Sequence, residues 1–138
     1  MKISFKVSLF LSLFILILSS CTKEPGIGGD ATISGRVYEK HYNSTFTVLL
    51  SENYAPDVYV YLVFGDEINY GKRIKTNYNG EFEFEYLYEG PYKVYVYSID
   101  SAATADGVVL PPDSAVIQEV TIQHRKEIVE LPDFVIYQ

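Results

Sequence analysis

The chain has 138 residues, and its 11 Lys and Arg against 18 Asp and Glu give a formal net charge of −7 at pH 7. An acidic chain without a basic cluster excludes nucleic acid and anionic lipid surfaces as partners, because both bind clustered Lys and Arg. The 13 Tyr and 8 Phe favour half-buried strands, and the length fits one domain with a single core.

The first twenty residues predict an export signal. A basic start precedes an apolar run over residues 7–18, which is shorter than the roughly 20 apolar residues that a membrane-spanning helix needs. The run ends in Leu-Ser-Ser-Cys at residues 18–21, and this ending resembles the lipobox of bacterial lipoproteins. The resemblance implies cleavage before Cys21 and lipid attachment to its sulfur, which would hold the protein on a membrane. The alternative is an ordinary signal peptide with an incidental cysteine.

The chain is therefore predicted to have three parts. Residues 1–20 are the signal peptide, residues 21–30 a flexible tether rich in Gly, and residues 31–138 a β-sandwich domain. We expect the lipid-anchored protein at the bacterial outer membrane. Thr22-Lys23-Glu24 loosely resembles the signal that sends some Gram-negative lipoproteins to the cell surface, so the surface side is favoured over the periplasmic side, and both stay open.

From residue 31 onward, apolar and polar residues alternate with a period of two. The alternation is clear over residues 33–38, 58–64 and 81–86, and further strands are predicted over 92–99, 115–123 and 128–137. Asn79-Gly80 predicts a tight hairpin that pairs residues 72–76 with residues 81–86. Residues 40–55 leave two alternatives open, an extra edge strand near 45–51 or a ligand-binding loop. About seven short strands predict an all-β fold, a Greek-key β-sandwich.

The same region resembles a known family. Its motifs are Gly35 in the first strand, Ala55-Pro56 before the second, Gly80 ahead of Phe82 and Phe84, and Leu87, Gly90 and Tyr92 around the next turn. Over residues 32–99 the chain resembles the carboxypeptidase-regulatory-like domains, the transthyretin-like (prealbumin-like) sandwiches that include the collagen-adhesin B-type repeats. The resemblance implies a fold, and it does not name a function, because such domains serve several roles.

No motif in the chain predicts catalysis, a metal site or a cofactor. His41 and His124 lie far apart, and the only cysteine is the one predicted to carry lipid. Glu81, Glu83 and Glu85 lie on one strand face at a spacing near that of glycosidase carboxylates, but such acids usually serve solubility. Oxygen-bearing loop residues leave calcium binding open, although the preference of turns for polar residues explains them more simply. The loop residues are Asp66, Glu67, Asn69, Asp100, Asp106 and Asp113.

Tyrosines provide the candidate binding site. Tyr59 and Tyr61 face away from the apolar side of one strand, and Tyr95 and Tyr97 do the same on another. If these strands are neighbours, as the resemblance implies, the four side chains form one outward patch that suits protein contacts or stacking against sugar rings. The alternatives are that tyrosine is simply favoured on half-buried sheets, or that residues 40–55 or 100–115 cover the patch.

These observations together predict a non-catalytic, lipid-anchored envelope protein. It would act as an adhesion, assembly or accessory binding module, with an envelope protein or a glycan as partner. The alternative is a structural stalk or assembly subunit without a ligand of its own, and a small glycan-active enzyme is a further alternative that would need a cleft. Replacing all four tyrosines by serine is predicted to abolish binding while the fold persists.

Overall fold

A computed structural model of the protein describes residues 23–99 and 113–138. Over these residues the chain forms nine strands and no helix, so the predicted all-β class is confirmed, with more strands than the seven predicted. Accordingly, no helix in the described ranges has the length and apolar character to cross a membrane. The strands are β1 Ile27–Tyr42, β2 Leu49–Tyr54, β3 Tyr59–Phe64, β4 Lys72–Lys75, β5 Glu81–Leu87, β6 Gly90–Ile99, β7 Asp113–Ile122, β8 Ile128–Glu130 and β9 Phe134–Tyr137.

The strands form two sheets. The first is built around the long β1, which pairs antiparallel with β2 and β5 and parallel with β8 and β9. The second has the order β4-β3-β6-β7, and all its described pairs are antiparallel. The extra edge strand predicted near residues 45–51 is present as β2, a few residues further along the chain, at the edge of the first sheet.

Alternating apolar residues of both sheets meet in one core. In β1 the inward residues Ile33 and Val37 are fully buried, and in β5 so is Phe84. The second sheet contributes Val60 and Leu62 from β3, together with residues of β6. Burial of these side chains at about 1.5–3 kcal/mol each is the main favourable contribution to folding. The described part of the chain is thus two sheets packed on a common core.

The prediction of a hairpin at Asn79-Gly80 is wrong, although the tight turn itself forms. Residues 72–75 pair with β3 and residues 81–87 pair with β1, so the turn connects the two sheets. The reason lies at Thr76, whose amide donates a 2.9 Å hydrogen bond to the Val58 carbonyl. Its buried hydroxyl donates a 2.6 Å bond to the Ala55 carbonyl and accepts one from the Val58 amide. These bonds keep β4 beside β3 until the chain turns.

A β-bulge at the end of β5 interrupts the alternation predicted over residues 81–86, which would place Phe82, Phe84 and Tyr86 together on the buried face. Phe82 and Phe84 are buried as predicted, whereas Tyr86 is exposed. Tyr86 has φ 64°, and the pairing of β5 with β1 is irregular at this point, which is typical of an extra residue in one strand. The bulge turns Leu87 inward in place of Tyr86.

The predicted flexible tether over residues 21–30 joins the fold earlier than expected. Its residues from Ile27 onward belong to β1. The Gly26 amide donates a 2.9 Å hydrogen bond to the hydroxyl of buried Tyr92, and that hydroxyl donates a 2.7 Å bond to the Tyr88 carbonyl. Burial raises the pKa of Tyr92, so its hydroxyl stays protonated and able to donate. The chain is therefore attached to the sandwich from Gly26 onward.

Candidate binding surface

The four tyrosines singled out from the sequence lie together on the outer face of the second sheet. β3 and β6 are neighbours, and Tyr61 lies directly opposite Tyr95. Tyr59 comes two residues before Tyr61, and Tyr97 comes two residues after Tyr95. Because the two strands are antiparallel, Tyr59 and Tyr97 lie toward the same end and form the adjacent row. The intervening residues of both strands point inward and are fully buried; they are Val60, Leu62, Val94 and Val96. The alternation therefore sends all four tyrosines outward.

The rings of the four tyrosines contact one another. Tyr61 and Tyr95 are stacked, with centroids 4.8 Å apart and planes within 5°. Tyr97 is edge-on to both, at 5.5 Å from Tyr61 and 5.6 Å from Tyr95. Tyr59 is tilted against Tyr61 at 6.4 Å. Tyr59 and Tyr97 are 43% and 46% exposed, whereas Tyr61 and Tyr95 are half-buried by their neighbours.

A fifth tyrosine completes the surface and was missed from the sequence. Tyr70 lies before β4, and its ring is edge-on to Tyr61 at 5.1 Å. It stands in a segment without strand periodicity, so no pattern in the sequence could assign it to a face. We call the surface formed by Tyr59, Tyr61, Tyr70, Tyr95 and Tyr97 the tyrosine face.

Two cations of the edge strand β4 border the tyrosine face. Arg73 pairs with Tyr61 and Lys75 with Tyr59 across the β3–β4 ladder. The Arg73 guanidinium lies 4.4 Å from the centroid of the Tyr59 ring, and the Lys75 ammonium lies 5.1 Å from it. The neighbouring Tyr61 hydroxyl, a hydrogen-bond acceptor, raises the pKa of Arg73. Arg73 therefore keeps its positive charge at this edge of the face.

The opposite edge of the face is apolar. On β7, Ile117 lies opposite Tyr95 and Ala115 lies opposite Tyr97. Ile117 is 56% exposed despite its size. Burial among the rings, with the neighbouring Tyr97 as a further cause, raises the pKa of Tyr95. Across the sheet each row thus runs from a cation through two tyrosines to an aliphatic side chain.

The remaining predicted candidates lie elsewhere. Cys21 falls outside the described residues, and so do Asp100 and Asp106 of the possible calcium loop. Asp66 and Glu67 lie in the turn after β3. Glu81, Glu83 and Glu85 are exposed on β5, in the other sheet. In the described ranges, no three His, Cys, Asp or Glu side chains are grouped as metal ligands would be.

The tyrosine face has the chemistry of a contact surface. Tyrosine combines a flat apolar ring with a polar hydroxyl, and such residues are enriched where proteins bind ligands. Among the described residues, neither a 630 Å³ cavity beside β4 and β5 nor a 250 Å³ cavity near Gly65 is lined by any of its tyrosines, and residues 100–112 of the segment proposed as a cover lie outside the described residues. Any molecule bound by these five side chains would lie across the outer surface of the second sheet.

Comparisons with known proteins give little further information. No family model matches the chain, and no curated protein matches it. Among solved structures it is similar to a crystal structure of a Pseudomonas aeruginosa protein to which carbohydrate binding is provisionally ascribed. The identity is 12% and the TM-score 0.46, over 86% of this chain and 93% of the other. A likeness at this TM-score establishes neither a shared fold family nor a shared ligand.

Proposed function

We propose that the protein is a non-catalytic, lipid-anchored binding module of the bacterial outer membrane, and that the tyrosine face contacts its partner, an envelope protein or a glycan. One observation carries the proposal. Five tyrosines from three neighbouring segments are gathered on one outer sheet surface, and three of them are 43–46% exposed. A contiguous exposed aromatic surface of this kind usually marks an interaction site.

The proposed anchor also gives the domain an orientation. Pro25 packs near Gly65 and Gly90, at the end of the sandwich where β3 ends and β6 begins. The chain from Cys21 to Pro25 can extend over about 14 Å at most, so this end would lie next to the bilayer. Tyr97 lies seven residues along β6 from Gly90, or about 23 Å at the rise of a strand. The tyrosine face would therefore extend away from the membrane, on whichever side the anchor lies.

We further propose that the two sheets form a transthyretin-like Greek-key sandwich of the carboxypeptidase-regulatory-like class. The motif residues support this placement through their positions in the structure. Gly35 lies on β1 where an added Cβ would be 2.7 Å from the Phe82 ring, and Gly80 occupies the turn between sheets with φ 72°. Gly35 is needed because a side chain would collide with the Phe82 ring, and Gly80 is needed because its backbone has a positive φ.

Mass spectrometry of the mature protein tests the anchor. We expect a chain that begins at Cys21 and carries added acyl mass, because the Leu-Ser-Ser-Cys ending directs lipid attachment and cleavage. The variant Cys21→Ser serves as the control and should lack this mass and leave the membrane fraction. An unmodified Cys21 thiol in the native protein, or an intact leader, would contradict the anchor and leave the tyrosine face to be tested separately.

Binding to the cell envelope tests the tyrosine face. The double variant Tyr59→Ser/Tyr97→Ser removes the two most exposed rings of the predicted patch while leaving the stacked pair in place. We expect at least a tenfold loss of capture of envelope material, because exposed aromatic anchors carry a large share of contact energy. The measurement compares capture by the full-length variant and by the wild type in detergent.

A matched control for this experiment is Tyr78→Ser. Tyr78 is 95% exposed and lies in the turn before β5, outside the tyrosine face. The Tyr78→Ser variant should capture as much envelope material as the wild type. Equal capture by the wild type and the double variant would reject the tyrosine face as a binding surface and favour the structural alternative, a stalk without its own ligand.

A further inference from the structure

We propose that the ligand of the tyrosine face is an acidic glycan, whose carboxylates pair with the cationic β4 edge while its sugar rings lie on the tyrosines. The inference rests on the proposed function and names the partner class. The inference is drawn from the order of side chains across the outer face of the second sheet. One row reads Arg73, Tyr61, Tyr95 and Ile117, and the adjacent row places Lys75 beside Tyr59.

The cations of this face are placed to receive an anion. In the described part of the chain, Arg73 forms no ion pair with a carboxylate, and Lys75 is paired with Asp57 at 3.2 Å on the surface. Exposed pairs of this kind contribute little and exchange readily. In a chain with net charge −7, two neighbouring cations on an aromatic surface are a local exception. A ligand carboxylate that accepts two hydrogen bonds from the planar Arg73 guanidinium would complete the arrangement.

The rest of the face fits sugars better than a peptide. Every ring on it carries a hydroxyl, and neighbouring β7 supplies one exposed large apolar side chain, Ile117. Peptides that dock by their side chains use apolar anchors, which favour apolar partners, whereas the hydroxyl on each ring keeps this face partly polar. A sugar ring has an apolar C–H face and a rim of hydroxyls, which match the ring and hydroxyl of tyrosine.

Single-stranded nucleic acid is a second anionic polymer with rings, and the small number of cations on the face disfavours it. Bases bind single-strand proteins by stacking on open aromatic faces. Tyr61 and Tyr95 stack on each other at 4.8 Å, so the faces they share are closed to bases and sugars alike and do not separate the two ligands. Nucleic acid also requires many phosphate contacts from a basic surface, and the cations of this face are few. A glycan with widely spaced carboxylates needs fewer cations.

Affinity measurements with matched oligosaccharides test the inference. The full-length protein in detergent is titrated with a hyaluronan hexasaccharide, in which uronate alternates with an acetylated amino sugar, and with neutral chitohexaose of the same length. We expect the acidic sugar to bind about tenfold more tightly. Arg73→Gln/Lys75→Gln should remove this preference by lowering the affinity for the acidic sugar at least tenfold, toward that for chitohexaose.

Arg36→Gln is the matched control variant. Arg36 also lies over a tyrosine, 5.0 Å from the centroid of the Tyr54 ring, but on the first sheet. Its replacement should leave the preference for the acidic sugar intact. Circular dichroism of each variant checks that the fold persists.

The possible results separate this inference from the proposed function. Equal affinity for both sugars, or a preference that survives Arg73→Gln/Lys75→Gln, would overturn the acidic class. Tighter binding of an oligothymidylate than of either sugar would overturn the glycan. In both cases, loss of envelope capture by Tyr59→Ser/Tyr97→Ser would still uphold the binding surface. If neither sugar binds and envelope capture is also unaffected by that variant, the inference and the proposed function both fail.

Discussion

Replacing Gly80 by valine is expected to lower the free energy of unfolding by about 3 kcal/mol or more. Gly80 has φ 72°, a conformation that a β-branched residue rarely adopts. An added Cβ would also lie 2.7 Å from the Val37 carbonyl oxygen and 2.9 Å from the Ala55 nitrogen. These atoms cannot move freely, because Ala55 donates a hydrogen bond to Val37, and Val37 donates one to Gly80. A single domain has about 5–15 kcal/mol of stability in total.

Urea unfolding measures this effect, with Gly26→Ala as the matched control. An added Cβ at Gly26 would have no atom within 4 Å. The amide and carbonyl of Gly26, which bond to the Tyr92 hydroxyl, would be retained in alanine. The control should unfold within about 0.5 kcal/mol of the wild type. Wild-type stability in Gly80→Val would mean that the turn between the sheets is not held as described.

Replacing Tyr61 by serine is expected to cost about 2–4 kcal/mol of stability, in addition to any loss of binding. Tyr61 is the centre of the tyrosine face and contacts four other rings, at centroid distances of 4.8–6.4 Å. Aromatic pairs of this geometry contribute about 0.5–1.5 kcal/mol each beyond the area they bury. Tyr61 therefore stabilises the sheet as well as forming its surface.

A double-mutant cycle isolates the contact between Tyr61 and Tyr95. The single variants Tyr61→Ser and Tyr95→Ser and their combination are unfolded in urea, and we expect a coupling energy of about 0.5–1.5 kcal/mol. Tyr78→Ser, which changes an exposed ring without these neighbours, should have almost no effect. Full additivity of the two single changes would show that the stack contributes nothing.

This result bears on the replacement of all four tyrosines proposed from the sequence. That variant removes the half-buried Tyr61 and Tyr95 with the exposed Tyr59 and Tyr97, so it would lose stability together with any binding. The expectation that the fold persists stays untested. The exposed pair is the better probe, because its removal leaves the central stack intact.

Local patterns in the sequence were sufficient to predict the outward position of four of the five tyrosines of the tyrosine face. Alternation along residues 58–64 and 92–99 placed the four tyrosines on one side of their strands, since side chains of a strand alternate between its faces. The family resemblance implied that β3 and β6 are neighbours, and the pairing of Tyr61 opposite Tyr95 agrees with this expectation. The cations Arg73 and Lys75 were not predicted as part of the site, because residues 72–76 were assigned to the wrong partner strand.

The sequence by itself determined the all-β class, most of the inward and outward residues of β1, β3 and β5 and the tight turn at Asn79-Gly80, because these depend on residues near one another in the chain. Only the tertiary structure decided which strands pair. The same turn can close a hairpin or connect two sheets, and the hydrogen bonds of Thr76 to Ala55 and Val58, some twenty residues earlier, select the connection. That long-range choice places a cationic strand beside the tyrosines.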